Sequence, residues 1–395
     1  MRYCLSKHDA SGVRLESRSI LFLVTEDWYF CLHRLPIARA ARDAGFRVLV
    51  AAQVSEHREV IEREGFKLIP MRWTRRSLNP LRALSEVRQI CAIYRQFQPD
   101  LVHHVALKPS LYGTIAGGIT GTSPIVNNLA GLGQAFSSKG MSASIIRSGL
   151  VAAFRILFSR RGICTIVENS DDRDFLAASV GIDRQAVALI RGVGVDVSSF
   201  KPVPEPRQGM PTVTLVSRML WPKGIEELVQ AARILQQRGR PVRIQLVGVP
   251  DPSSRVSIPE QQLLEWQTEG VVEWLGYRKD VADIWAHSHI AILPSYYREG
   301  IPRSLLEAAA CGRAIVTTDM PGCREIVRHG RNGLLVPPRN PAAIADAIDQ
   351  LVGDPDLRQR MGQVGREMVE REFAEEHVMT QTLAVYQSLL GTGTN

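Results

Sequence analysis

From Ile20 onward, short uninterrupted apolar runs alternate with amphipathic stretches, and after a proline-rich break near residue 205 the same alternation starts again. In the first half the runs are Ile20–Val24, Phe46–Ala52, Phe66–Ile69, Leu101–Val105, Ile125–Leu129, Ile163–Val167 and Ala186–Ile190. Helical patterns lie between them, at Leu35–Ala44, Leu81–Phe97 and Ser110–Ile119. Strands that are apolar on both faces must be covered on both, which predicts parallel sheets sandwiched by helices. The segment from Ser198 to Pro211 holds Pro202, Pro204, Pro206, Gly209 and Pro211, the composition of a connector. Beyond it the pattern predicts strands Thr212–Ser217, Val242–Val247, Val271–Trp274, Ile290–Leu293, Ala314–Thr317 and Gly333–Val336, with helices Ile225–Arg238 and Ser304–Cys311. The expected fold is α/β: two doubly wound, Rossmann-like domains facing a cleft, over residues 19–200 and 212–395, joined by a linker over 201–211. Residues 1–18 read as a flexible tail. The last helix is a candidate for packing back on the N-terminal domain.

Several classes are excluded by composition. With 395 residues, 45% hydrophobic and 22% charged, the chain has an ordinary globular make-up and is not a disordered one. No window approaches the ~20 consecutive apolar residues of a spanning helix. No apolar segment precedes Ile20 as a secretory signal requires, so a cytoplasmic location is expected. The six cysteines (Cys4, Cys31, Cys91, Cys164, Cys311 and Cys323) form no C-x-x-C pair, and the nine histidines form no H-E-x-x-H motif. No metal and no resident cofactor is expected. Forty-eight basic against forty acidic residues leave a net charge of +8, which favours an anionic partner.

Three segments carry chemistry. In Leu293-Pro-Ser-Tyr-Tyr-Arg-Glu-Gly-Ile-Pro-Arg-Ser-Leu-Leu-Glu307, a buried strand ends, a loop follows, and Pro302 suits a first helical position. Glu299 then lies in the loop. The amides of Gly300 and Ile301, with a helix dipole behind them, suit a phosphate group. Glu307, in the helix, is able to accept hydrogen bonds from vicinal hydroxyls such as those of a ribose. Taken alone, an acidic helix cap with a solvated Glu307 is an equal reading. The second segment, Val216-Ser-Arg-Met-Leu-Trp-Pro-Lys-Gly224, follows the first strand of the second domain and places Arg218 and Lys223 around a turn, able to converge on one diphosphate. The third, Arg191-Gly-Val-Gly-Val-Asp196, has glycines for tight backbone geometry beside the connector but lacks the third glycine of a dinucleotide fingerprint.

Together, the pair Glu299/Glu307, the pair Arg218/Lys223 and the Gly-Val-Asp before the connector resemble the family-4 retaining glycosyltransferases of GT-B fold, from about Ile20 to the C-terminus. Ser77-Leu-Asn-Pro80, Leu220-Trp-Pro-Lys-Gly224 and Asp319-Met-Pro-Gly-Cys323 resemble the bacterial members that extend undecaprenyl-diphosphate-linked sugars, bacillosamine-linked N-acetylgalactosaminyltransferases among them. The resemblance implies a UDP-sugar donor in the C-terminal domain. Arg218 and Lys223 would neutralise its diphosphate, Glu307 would hold the ribose, and Glu299 would contact the donor sugar, with Gly300 and Ile301 beside it. It also implies transfer without a divalent metal, and Asp172-Arg-Asp174, which superficially matches the D-x-D of a metal-dependent class, reads better as an acidic helix start.

The chain departs from that family twice. The glycine-rich loop usual after the first strand is here Thr25-Glu-Asp-Trp-Tyr-Phe30, without glycine. The usual His-x-His after the fourth strand becomes Asp100-Leu-Val-His-His-Val-Ala-Leu-Lys108. The catalytic-region histidine is left between His103 and His104, with Lys108 and Trp28 the expected acceptor contacts and a purely structural His103 an equal reading.

Two basic stretches remain. Arg72, Arg75, Arg76, Arg82, Arg88 and Arg95 are opposed only by Glu86. From Lys139 to Arg161, apolar residues alternate with Arg147, Arg155, Arg160 and Arg161. That amphipathic pattern suits an anionic membrane surface, the alternative being a core-packed helix with a solvated basic face. No reader motif for nucleic acid accompanies the charge. The expected activity is therefore retaining transfer of an N-acetylhexosamine or hexose from a UDP-sugar to a polyprenyl-diphosphate-linked acceptor, at the inner face of the cell membrane. The rivals are a UDP-sugar 2-epimerase of the same fold and a non-catalytic basic scaffold.

Overall fold

The computed structural model describes residues 18–73, 79–132 and 141–391, without the side chains of 141–143. Residues 1–17 of the expected tail, together with Arg75, Arg76, Ser77 and Lys139, lie outside these residues.

Thirteen strands form among them: β1 Ser19–Glu26, β2 Arg47–Gln53, β3 Lys67–Pro70, β4 Leu101–Val105, β5 Ile125–Leu129, β6 Ile163–Val167, β7 Val187–Leu189, β8 Thr212–Val216, β9 Arg243–Val247, β10 Glu273–Trp274, β11 Ile290–Leu293, β12 Ala314–Thr318 and β13 Gly333–Val336. They build two sheets, ordered β3-β2-β1-β4-β5-β6-β7 and β10-β9-β8-β11-β12-β13. Every pairing is parallel. In both, the first strand of the half lies centrally and the order reverses beside it, which opens a crevice at the strands' carboxyl ends. The apolar runs became strands because alternate residues face opposite helical layers. Ile20, Phe22 and Val24 of β1 join one core cluster, whereas Leu21 and Leu23 join the other. Val213 and Leu215 of β8 join a cluster on one face of the second sheet, and Ala291 and Leu293 of β11 join the other. Two expected strands shrink by two residues each: Ala186–Ile190 to Val187–Leu189, and Val271–Trp274 to Glu273–Trp274, where Val271 and Val272 are buried in the core without joining the ladder.

The proline-rich stretch is fastened to the C-terminal domain. Arg358 donates to both carboxylate oxygens of Glu205 at 2.7 to 3.1 Å, and this ion pair is buried. His289 accepts from the Thr212 amide through Nδ1 (3.0 Å) and donates from Nε2 to the Pro206 carbonyl (3.0 Å). Arg313 donates to the Val203 carbonyl. The chain crosses between the sheets around Gly192–Val195 and returns at Phe373–Glu375, where Val195 and Ala374 pair. Gly194 has φ +75, and a Cβ there would meet the Glu375 backbone at 2.6 Å, so only glycine lets the two crossings pass. The final helix, Glu375–Gly391, packs on the N-terminal domain and buries Val378 and Tyr386 in its core.

Candidate active site

The carboxyl ends of the two sheets face each other across an open cleft of about 870 Å³. Its C-terminal wall is built by the segment after β8, the loop after β11, and the Tyr277–Ala282 stretch; Trp28, Tyr29, His33 and Glu168 stand on the N-terminal wall.

On the C-terminal wall, Lys223 Nζ donates to Glu299 Oε2 at 2.6 Å, both side chains nearly buried. Burial disfavours the charged lysine, but the Glu299 carboxylate outweighs it and holds the Lys223 pKa above its ordinary value. The ammonium also lies 5.4 Å from the centre of the Tyr297 ring. Glu299 Oε1 is buried with no hydrogen-bond partner among the described residues. An unpaired carboxylate oxygen in a cleft is costly unless a ligand donor meets it, and a sugar hydroxyl is such a donor. Gly224, at φ +75, brings this turn against the Pro294 carbonyl. Arg218 also lines the cleft, half-exposed and donating to Asp251 Oδ2 at 2.8 Å. Glu307 lies in the Arg303–Ala310 helix and accepts from Arg303 Nε at 2.8 Å; burial pushes its carboxyl up, against the pull of Arg303. Pro302 stands one place earlier than expected, as the N-cap with extended backbone.

On the N-terminal wall, the loop without glycine turns out to be a helix, Asp27–His33. Burial alone would raise the Asp27 carboxyl. Hydrogen bonds from the Ser55 hydroxyl and from the amides of Ser55, His57 and Trp28 hold it below the usual range. This carboxylate pins the helix so that Trp28, Tyr29, Leu32 and His33 face the cleft. The His33 ring packs 4.4 Å from that of Tyr29. Burial, then the positive charges of Arg34, Arg303 and Arg218, lower its pKa to about 3. His33 is therefore a neutral imidazole at neutral pH, able both to donate and to accept.

The structure corrects four expectations. His103 does not line the cleft: it is buried beside Phe22, with Nδ1 2.5 Å from the Tyr386 hydroxyl. His104 points to the opposite face, where the Tyr94 hydroxyl and Asn127 Oδ1 each lie 2.7 Å from its ring nitrogens. Burial lowers the His104 pKa to about 4. Adjacent residues of a strand covered on both sides are both core residues: His104 faces away from the cleft, and His103 borders only a small cavity that it shares with His33, Gly192 and Val193. Lys108 is not among the cleft-lining residues; its ammonium is 2.6 Å from the buried Glu86 carboxylate and near the rings of Trp73 and Tyr112. The Ile301 amide is already engaged, donating to Glu168 Oε2 at 3.0 Å, and Gly300 lies against the same carboxylate. Sequence reading missed His33 and Glu168. The available signal was position alone: Glu168 directly follows β6, and His33 ends the short helix that follows β1, both at the carboxyl edge of the sheet.

Asp172 and Asp174 belong to the helix Ser170–Asp174, capped by Asn169, whose Oδ1 accepts the Asp172 amide at 2.8 Å. Arg298 donates to Asp172 at 2.6 Å, while Arg184 lies 3.0 Å from Asp174, so the two carboxylates serve different partners. Among the described residues no group of three or more His, Cys, Asp or Glu is disposed to hold a metal ion.

Two parallel sheets opposed across a cleft, with a paired cation and carboxylate on one wall, give a two-domain architecture with an open site between the domains. Family models agree: "Glycosyl transferase 4-like" matches residues 19–160, and "Glycosyl transferases group 1" matches residues 210–354. The chain belongs to the glycosyltransferases of GT-B fold. It is 28% identical over 337 residues to the N,N'-diacetylbacillosaminyl-diphospho-undecaprenol alpha-1,3-N-acetylgalactosaminyltransferase of Campylobacter jejuni, covering 82% of this chain and 87% of that one. It is 24% identical to the putative glycosyltransferase EpsD of Bacillus subtilis over 96% of this chain and 98% of that one. Among solved structures, its fold resembles Anabaena Alr3699/HepE in complex with UDP and glucose (TM-score 0.74, 20% identity, covering 93% and 99% of the two chains). It also resembles sucrose-phosphate synthase from Thermosynechococcus elongatus (TM-score 0.76, 20% identity, 95% and 100%).

Proposed function

We propose that this glycosyltransferase moves an N-acetylhexosamine or hexose from a UDP-sugar to a polyprenyl-diphosphate-linked acceptor, with retention at the anomeric carbon and without a divalent metal. The observation that carries the reading is the Lys223–Glu299 pair with its unpaired, buried Glu299 oxygen in the cleft. Lys223 and Arg218 supply positive charge for the diphosphate, Glu299 Oε1 accepts from a donor-sugar hydroxyl, and Glu307 holds the ribose. The Campylobacter relative, whose name specifies an undecaprenol diphosphate acceptor, supports a lipid-linked acceptor here. The acceptor enters along Trp28, Tyr29 and His33. Its hydroxyl oxygen attacks the anomeric carbon from the face the diphosphate leaves. The bond from that carbon to the phosphate oxygen breaks, and the hydroxyl proton passes to the departing phosphate. Paired cations replace a metal in stabilising the leaving group. The test is the anomeric proton signal of the product by NMR, with reactions run in EDTA. Product of unchanged anomeric configuration, at a rate within about twofold of that without chelator, is expected. Inversion, or loss in EDTA restored by manganese, contradicts the reading.

No helix among the described residues is long and apolar enough to cross a membrane. The helix Met141–Phe158 instead supports peripheral attachment. It turns Phe154 and Phe158 into the core, with rings stacked 4.9 Å apart. Its opposite side leaves Ile145 and Ile156 about two-thirds exposed. Arg155, Arg160 and Arg161 are exposed and Arg147 is half-buried. Arg155 also donates to the Val180 carbonyl at 2.7 Å, so it has a structural bond to keep. Leu81 and Leu84 are exposed on Pro80–Phe97, and both helices pack against Leu107–Thr120. Exposed isoleucine beside arginine fits an anionic bilayer surface, where each basic side chain contributes about 1 kcal/mol. Co-sedimentation with anionic vesicles is expected, partly released by high salt. Replacing Ile145 and Ile146 with Ser should weaken the salt-resistant part. Equal binding to neutral and anionic vesicles contradicts the proposal.

A further inference from the structure

Five consecutive residues after β6 each bond to the C-terminal domain. Glu168 Oε2 accepts the Ile301 amide at 3.0 Å, and Asn169 Nδ2 donates to the Glu299 carbonyl at 3.2 Å. The Ser170 amide and hydroxyl donate to Glu325 Oε1 at 2.7 and 2.5 Å. Asp171 receives Arg324 at 3.1 Å and Asp172 receives Arg298 at 2.6 Å. The acceptor-side domain thereby grips residues 298, 299 and 301 of the very loop that presents Glu299. Behind Glu168 stands Arg34, whose Nη2 is 3.6 Å from Glu168 Oε1 and donates to Asn128 Oδ1 at 2.8 Å. Arg34, Asn128 and Glu168 are all buried, so the carboxylate is held from its own domain before it reaches across. Two glycines make the approach possible. A Cβ on Gly300 would collide with Glu168, and one on Gly131 would collide with Gly300.

We infer that Glu168 is a positioning residue for glycosyl transfer: from the acceptor-side domain it fixes the Glu299–Ile301 backbone, so that Glu299 is correctly presented only when the cleft is closed. The inference rests on the reading that this loop holds the donor sugar. A backbone amide buried in the cleft needs an acceptor, and opening the domains removes this one and exposes the Ile301 N–H to solvent or to an incorrectly placed donor. The loop's geometry is therefore coupled to domain closure through one carboxylate rather than set inside the C-terminal domain alone. Arg218 lies outside that coupling, because its partner Asp251 is not in the loop, and Lys223 is itself carried by the segment after β8, which Glu168 does not touch. Nucleotide binding should thus survive loss of Glu168 while turnover should not.

The test compares Glu168→Ala and Glu168→Gln in the full chain, measuring UDP affinity by calorimetry, unfolding by urea, and kcat and KM with a UDP-sugar donor. Glutamine keeps an oxygen that accepts the Ile301 amide; alanine does not. UDP affinity within about twofold of the parent in both variants, with kcat reduced at least tenfold in Glu168→Ala and restored to within about threefold in Glu168→Gln, is the expected result. An unchanged kcat in Glu168→Ala overturns the inference. So does a loss of kcat that Gln does not relieve, or one matched by an equal loss of UDP affinity, which would mark Glu168 as a folding element. Absence of UDP binding in the parent protein would instead refute the donor-site reading on which the inference rests.

Discussion

Lys223→Ala should weaken UDP and UDP-sugar binding by roughly ten- to a hundredfold, because a charge-assisted contact to a diphosphate is worth about 1.5–3 kcal/mol. Its second effect follows from the 2.6 Å bond to Glu299. Removing the ammonium leaves a nearly buried carboxylate without its cation, and breaking one side of such a pair typically costs ~3–5 kcal/mol of stability. The two effects separate in the double variant Lys223→Ala/Glu299→Gln. With the orphaned charge gone, stability should largely recover, while nucleotide affinity should stay low. Arg218→Ala should cost less, several-fold in affinity, since Arg218 is half-exposed and screened by solvent. Calorimetric titration with UDP and urea unfolding check both quantities. An affinity for UDP within twofold of the parent in Lys223→Ala would contradict the donor-site assignment.

Arg358→Ala should be the most destabilising substitution distant from the cleft. Its guanidinium donates to both Glu205 oxygens and also, at 2.6 Å, to the Leu351 carbonyl, all within a buried setting. Deleting it leaves the Glu205 carboxylate buried and unpaired, at a cost of about 3–5 kcal/mol. It also releases the stretch around Val203–Pro206 from the C-terminal domain. A smaller loss is expected in Arg358→Met/Glu205→Leu, which removes both charges and keeps apolar volume. Urea unfolding measures the ranking, and a cost under about 1 kcal/mol for Arg358→Ala would show that the connector is held by other contacts.

The fold was legible because continuous apolar strands and amphipathic helices encode a doubly wound layer without reference to anything distant. β4, β5, β6, β11 and β13 begin and end where their apolar runs do. Arg218 and Lys223 after β8, and Glu299 and Glu307 after β11, were legible as candidates because local spacing beyond two strand ends places them. What sequence alone did not show depends on contacts across the cleft. His33 lies in a short helix that replaces the family's glycine-rich loop, and only the Asp27 anchor to Ser55 and His57 turns that helix toward the cleft. Glu168 meets Ile301 over 133 positions of sequence, a pairing that no periodicity announces. His103 and His104 were misplaced for a related reason. A motif register suggested a cleft residue, but a central strand covered on both faces turned both rings into the core. Composition also made the proline-rich stretch look like a free linker, because the ion pair Glu205–Arg358 spans 153 positions.

The most direct test of the account is transfer of radiolabel from a panel of UDP-N-acetylhexosamines and UDP-hexoses into a bacterial lipid extract containing polyprenyl-diphosphate sugars, with Glu299→Gln run alongside. Label from one donor should move into the organic-extractable fraction with the parent protein, and at least a hundredfold more slowly with Glu299→Gln, which withdraws the carboxylate charge at the donor sugar. Label that stays in the aqueous phase as a C2 epimer of the donor would instead identify an epimerase. Label that enters lipid equally fast with Glu299→Gln would place the chemistry elsewhere than in this cleft.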